Sequence, residues 1–190
     1  WWMVKSGLTA DATVSQCRLA VHLGMALFIL MLLLWTAFDI RYGRAALPRG
    51  HAGGTLALVF VTILAGALVA GMDAGLLYNE YPLMGDSLVP VEYGDAGLLN
   101  AFENLAAAQF HHRWIAALAV LAVITLALRG RRSPASRTPA TLALLFVLCQ
   151  FVLGIAVLLH GVPVSLGAMH QTGAVLLLAS LVWTAHRMPR

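Results

Sequence analysis

The amino-acid sequence contains five apolar segments, each long enough to cross a lipid bilayer as an α-helix. They comprise about residues 18–39, 54–77, 104–128, 140–160 and 164–186. A helix rises about 1.5 Å per residue, so roughly 20 apolar residues cross a hydrocarbon core of about 30 Å. Of the 190 residues, 61% are hydrophobic and only 11% are charged, whereas soluble chains carry about 25% charged residues. The sequence therefore predicts an all-α, polytopic membrane helix bundle with five transmembrane helices, and it excludes a soluble domain.

The charged residues are distributed unevenly between these segments. Nine of the 12 Lys and Arg residues lie in the first and third connections and after the last segment, whereas the second connection contains five acidic residues and no cation. By the positive-inside rule, the basic connections lie in the cytoplasm and the acidic connection lies outside. The basic connections are thus a topology signal, and the expected partner of the chain is a lipid bilayer and not a nucleic acid.

Only two cysteines are present, Cys17 and Cys149, and neither belongs to a CxxCH motif. A disulfide framework and covalent attachment of a c-type haem are therefore excluded. Cys17 precedes a predicted span and Cys149 lies near the middle of another, so we expect no disulfide between them.

Three histidines indicate a function, because a ligand-capable side chain inside a membrane is costly. His22, His112 and His170 lie four, eight and six residues into the first, third and fifth segments, which all run from outside to inside. Their imidazoles therefore lie within about 6 Å of one another in depth, in the outer leaflet. Two neutral imidazoles at one level on neighbouring helices can ligate a haem iron from its two faces. The alternative is that each histidine is buried and bonded to a backbone carbonyl or a hydroxyl group.

The residues on either side of His112 leave two questions open. His111 precedes it, and adjacent positions of a helix are about 100° apart, so only one of the two imidazoles can face a given cofactor. Arg113 follows it and needs an anionic partner within the membrane. A haem propionate, Glu103, or the outer interface reached by an extended side chain would each satisfy the guanidinium.

Several longer motifs resemble the haem A synthase family. They are the run from Gly66 to Met84, the triplet Phe102-Glu103-Asn104 and the run from Gln109 to Arg113, and they are accompanied by the stretches Arg18–Gly24 and His170-Gln171. The resemblance covers nearly the whole chain and corresponds to the last five helices of an eight-helix, pseudo-repeated bundle. It implies that residues 1–40 are a remnant of the N-terminal, substrate-haem half. Residues 41–190 would then form the C-terminal, four-helix half that binds haem b.

This resemblance implies oxidation of the C8 methyl group of haem O to a formyl group, giving the haem A of cytochrome oxidase, in a bacterial inner (cytoplasmic) membrane. It implies that His112 and His170 are the axial ligands of haem b, that Arg113 contributes to the same site, and that His22 ligates the substrate haem. It also favours His112 over His111, because the family's ligand directly precedes the arginine. The family's catalytic glutamate and second substrate-haem histidine lie on helices that this sequence lacks, so the catalytic residues are unknown and the chain alone is expected to be inactive.

The sequence contains no flavin or nicotinamide fingerprint, so we expect an external electron donor. A haem O synthase and cytochrome oxidase assembly factors are further expected partners. Two alternatives remain: a b-type haem electron-transfer membrane subunit, which would use the same histidine pair, and a transporter or cofactor-free assembly factor. The block from Asp73 to Met84 is predicted to be an ordered outside turn from its glycine and proline content, but the sequence assigns it no chemical step.

Overall fold

A computed structural model describes residues 15–94 and 97–189 of the chain, and this part contains helices and no strand. Five long helices are apolar and long enough to cross a membrane, which confirms the predicted all-α, polytopic class. A short helix, α3, precedes the third of them. The helices are α1 (Gln16–Tyr42), α2 (Gly50–Gly71), α3 (Asn100–Glu103), α4 (Leu105–Gly130), α5 (Arg137–Leu159) and α6 (Val164–Arg187).

The second helix differs from its prediction at both ends. It begins at Gly50 and ends at Gly71, whereas the apolar pattern predicted residues 54–77. It ends early because Asp73 adopts a left-handed backbone conformation, with φ of 52°, which a continuing right-handed helix excludes. Residues 74–76 then form a single 3₁₀ turn. The last apolar residues of the second segment therefore belong to the connection between α2 and α4.

Four of the helices, α2, α4, α5 and α6, surround a common core. Val123, Leu126, Leu178 and Leu181 are completely buried within it. The remaining long helix, α1, packs against α2 and α6 from one side. Both cysteines are exposed and free, so they form no disulfide with each other.

A partly buried polar contact joins α1 to α6 at the end where the basic connections lie. The Nε2 atom of His186 donates to Oδ1 of Asp39 over 2.9 Å, and the backbone N–H of Ala45 donates to the same oxygen over 3.0 Å. The ring of Trp35 packs edge-on against the His186 imidazole at 5.0 Å between centroids. His186, near the end of α6, therefore has a structural role.

The long connection between α2 and α4 is ordered by side-chain hydrogen bonds. The Tyr78 hydroxyl donates to Oε2 of Glu92 over 2.5 Å, and Asn104 donates from Nδ2 to the backbone carbonyl of Glu92 over 2.6 Å. The first bond raises the pKa of Tyr78 above its usual value of 10.0 and lowers the pKa of Glu92 below 4.5. Met84, in the middle of the connection, is 1% exposed, so this segment packs against the bundle. Residues 95 and 96 of the connection, together with 1–14 and 190, lie outside the described residues.

Candidate functional site

A cavity of about 410 Å³ lies between α2, α4, α5 and α6. Ligand sites in proteins have volumes of about 300–1,000 Å³, so the cavity is large enough for a bound group. No residue of α1 is among the described residues that line it. The cavity is therefore lined by four of the helices that follow residue 49 and by part of the connection after α2.

His112 on α4 and His170 on α6 both line this cavity. They lie seven and six residues after the first residues of their helices, which places both about 10 Å along parallel helices. The structure thus brings together two of the three histidines that the sequence placed at one depth.

The His112 ring has a defined orientation. Its Nδ1 atom lies 3.1 Å from the backbone carbonyl oxygen of Thr62 on α2. A carbonyl oxygen only accepts hydrogen bonds, so Nδ1 carries the proton and Nε2 retains its lone pair. A histidine that ligates a metal through one nitrogen usually donates from the other in this manner.

The His170 ring is held differently. Its Nδ1 atom is buried and has no hydrogen-bond partner among the described residues. Its backbone carbonyl accepts a 2.7 Å bond from Nε2 of Gln150 on α5, which fixes the main chain at this point but leaves the imidazole without a polar partner.

Arg113 lies at the polar end of the cavity and contacts the connection after α2. Its two terminal nitrogens donate to the backbone carbonyls of Leu83, over 3.0 Å, and Tyr78, over 2.9 Å. Its Nε atom is buried without a partner, and within the described part of the chain Arg113 forms no ion pair. Glu103 is therefore not its partner in the structure, and the guanidinium keeps unused N–H donors, including the buried Nε.

Gln109, one turn before Arg113, binds the same segment. Its Nε2 atom donates to the carbonyl of Tyr78 over 2.9 Å, and its Oε1 atom is buried without a partner. Tyr78 and Leu83 both belong to the block from Asp73 to Met84, to which the sequence assigned no role. The structure shows that this block covers one end of the cavity. The sequence signal for this contact was only that Arg113 needs a polar partner within the membrane, and the structure supplies two backbone carbonyls.

His111 faces a different part of the bundle. Its Nε2 atom lies 3.0 Å from the hydroxyl of Tyr93, and it lines a separate apolar groove between α1, α2 and α4. Of the two adjacent histidines, only His112 lines the cavity.

His22 is exposed and lies on the face of α1 that points away from the bundle. The buried positions of α1 are Ala20, Gly24 and Leu27, which at about 100° per residue occupy the opposite side of the helix. His22 therefore does not join His112 and His170, and any group that it binds lies outside the cavity.

The geometry defines a class of protein: a polytopic membrane bundle with an intramembrane cavity that presents two imidazoles between a polar and an apolar end. The polar end carries Arg113 and Gln109, and the apolar end includes Val59, Val147 and Leu177.

The chain belongs to the family described as cytochrome oxidase assembly protein (COX15-CtaA), whose profile matches residues 1–182. The Heme A synthase of Maricaulis maris is 46% identical over 198 residues, a match that covers 98% of this chain and 58% of that protein. The Heme A synthase of Caulobacter vibrioides is 42% identical over 200 residues, covering 100% and 58%. The Heme A synthase COX15 of Homo sapiens is 40% identical over 209 residues, covering 100% and 51%. The chain thus spans little more than half the length of these relatives.

Proposed function

We propose that this chain is the haem b-binding part of a haem A synthase. The observation that carries the proposal is the pair of imidazoles, from His112 and His170, that line one intramembrane cavity at the same depth. The names of the relatives support the activity, and the cavity supports the cofactor.

The residues of the cavity fit a haem. His112 keeps a free Nε2 lone pair because its Nδ1 atom is bonded to the Thr62 carbonyl, and His170 is the second ligand. The unused Nε donor of Arg113 suits a propionate, since arginine pairs well with carboxylates. The apolar side chains of the other end suit the macrocycle. When bound, a haem with two histidine ligands supplies one-electron transfer.

We assign His22 to a second site, as a ligand of the substrate haem. The imidazole lies on the outward face of α1, among the exposed apolar residues Val21, Met25 and Ile29, and an ionisable group in such a position is itself an indication of function. Because α1 lines no part of the cavity, this assignment agrees with a division of the chain into residues 1–40, of the substrate-haem half, and residues 41–190, of the haem b half.

The proposed reaction of the complete protein is oxidation of the C8 methyl group of haem O to the formyl group of haem A. We place it in the bacterial inner membrane, with both haem sites toward the outer leaflet, because the basic connections mark the cytoplasmic side. Because this reaction removes electrons from the haem and adds oxygen, it requires an oxidant from outside the protein, which we take to be molecular oxygen, and an external donor supplies the electrons that reduce that oxygen. Haem O synthase and oxidase assembly factors are the proposed partners. On this proposal the described residues would hold and orient haem b. The oxidative chemistry would be that of the haem groups and not of a protein side chain.

The ligand assignment is tested by His112→Ala and His170→Ala, each expressed in membranes and examined by optical and electron paramagnetic resonance spectroscopy. Wild type is expected to give a low-spin haem b spectrum, and either variant is expected to lose it while still inserting into the membrane. His111→Ala is the matched control, because His111 faces the other groove and should leave the spectrum unchanged. An unaltered spectrum in His112→Ala or His170→Ala would overturn the assignment.

The activity is tested separately with a longer protein that contains this segment and the helices present in its relatives. Co-expression with a haem O synthase, followed by chromatography and mass analysis of the extracted haems, should yield haem A only when that protein is present. Haem b alone, with haem O unchanged, would instead favour the alternative of a b-type electron-transfer subunit.

A further inference from the structure

We propose that Gly66 and Gly154 are positioning residues that set the orientation of the two ligand imidazoles, and that they constrain the two ligands unequally. This inference rests on the proposed haem b site. It concerns two glycines to which neither the sequence motifs nor the family match gives a role.

Each glycine lies on the long helix that precedes the helix of its histidine, and it faces the imidazole ring. A Cβ atom at Gly66 on α2 would lie 2.9 Å from Cε1 of His112, and one at Gly154 on α5 would lie 3.0 Å from Cε1 of His170. The distance at Gly66 is one that real Cβ atoms essentially never show, and the distance at Gly154 requires the ring to shift by a few tenths of an ångström. Any side chain at either position would therefore push the ring.

The absence of a side chain at Gly66 and Gly154 makes room for the imidazole rings and not for a neighbouring helix backbone. At Gly66, the three atoms nearest to an added Cβ all belong to the His112 ring, and at Gly154 all three belong to the His170 ring. Gly130 provides the contrast, because the atom nearest to a Cβ there is Cβ of Ala140, at 2.9 Å. Gly130 is thus an ordinary small residue at a helix crossing, whereas Gly66 and Gly154 each accommodate an imidazole.

The two rings differ in their freedom to respond. The His112 ring is held on one side by Gly66 and at Nδ1 by the carbonyl of Thr62, one helical turn earlier on α2. The His170 ring is held by Gly154 but has no partner at Nδ1. A methyl group at Gly66 must therefore break the bond to Thr62 or displace the ligating nitrogen, whereas a methyl group at Gly154 can be accommodated by rotation of the free ring.

The experiment compares Gly66→Ala and Gly154→Ala in the 190-residue chain, with Gly167→Ala as the matched control. Gly167 lines the same cavity, but no atom lies within 4 Å of a Cβ added there. The measurements are the haem b bound per protein during titration with haem and the g values of the oxidised low-spin haem. These g values depend on the relative orientation of the two imidazole planes, so a purely structural defect does not shift them.

Gly66→Ala is expected to lower the affinity for haem by about tenfold or more, the effect typical of losing an outer hydrogen bond to a metal ligand. Gly154→Ala is expected to retain haem but to shift the g values. Gly167→Ala should match wild type in both measurements. Gly130→Ala should lower the thermal stability without shifting the g values.

Wild-type affinity and g values in both Gly66→Ala and Gly154→Ala would overturn the inference, as would equal losses in Gly66→Ala and Gly167→Ala. If Gly66→Ala does not accumulate in membranes, Gly154→Ala decides the matter, because unchanged g values in that variant contradict the proposal. A wild-type chain without a low-spin haem would refute the proposed function itself, so the two failures are distinguishable.

Discussion

The contact between Arg113 and the block from Asp73 to Met84 allows a quantitative prediction. Arg113→Gln removes the guanidinium that donates to the carbonyls of Tyr78 and Leu83. A hydrogen bond from a charged donor contributes about 1.5–3 kcal/mol. The bond to Leu83 is exposed, however, and the carbonyl of Tyr78 keeps its bond from Gln109. We therefore expect a loss of about 2 kcal/mol, which corresponds to roughly a 30-fold increase in local opening of the block.

Amide hydrogen exchange followed by mass spectrometry, on protein in lipid nanodiscs, measures this opening directly. The reporters are the N–H groups of Leu76 and Leu77, which donate to backbone carbonyls within the block, and that of Met84, which donates to the carbonyl of Ser87 just after it. Their exchange should accelerate about 30-fold in Arg113→Gln, while the exchange of α5 should not change. Arg129→Gln, at the opposite end of the same helix, is the matched control and should leave the block as in wild type. Unchanged exchange of the block in Arg113→Gln would refute the conclusion that Arg113 holds this cover in place.

Two further predictions concern stability. Tyr78→Phe should loosen the same connection at neutral pH, measured by limited proteolysis, because it removes the bond to Glu92. That bond contributes in full between pH 4.5 and pH 10.0. Its contribution is lost as the pH falls through the lowered pKa of Glu92 or rises through the raised pKa of Tyr78. The difference in proteolysis between Tyr78→Phe and wild type should therefore shrink in acid. Leu178→Ala, at a completely buried position, should lower the free energy of unfolding by about 2–5 kcal/mol, measured by thermal unfolding. Leu176→Ala, at a position 46% exposed, should lower it by under about 0.5 kcal/mol. Equal effects would contradict the assigned core.

The sequence predicted the features of the fold that depend on counting along a helix. Five spans follow from the length of the apolar segments, and the common depth of His112 and His170 follows from the fixed rise per residue along helices that run in the same direction. The apolar pattern was wrong about the end of α2, because the left-handed conformation at Asp73 terminates a helix without any change in hydropathy.

The features that the sequence did not predict depend on how helices approach one another. The contact of Gly66 with His112 joins residues that are 46 positions apart, and nothing in the local sequence separates Gly66 from the packing glycines such as Gly130. Likewise, the role of the block that covers the cavity became evident only from the carbonyls that Arg113 binds. His111 and His112 lie at nearly the same depth in the membrane, so the sequence alone did not distinguish them. Their side chains are about 100° apart around the helix axis, which directs the His112 ring to the cavity and the His111 ring to Tyr93.

The position of α1 separates the proposed haem b site from the proposed substrate-haem site. All the described residues that line the cavity lie after residue 49, so the proposed haem b site depends on α2, α4, α5 and α6 and on the connection that Arg113 holds. His22 lies outside this unit, on an exposed and otherwise apolar helix face, and one imidazole there supplies only one ligand. On this proposal the substrate site needs further groups against α1, whereas both proposed haem b ligands already line the cavity. For this reason a chain that binds haem b without making haem A would agree with the proposed division of the protein, and only the longer protein can test its activity.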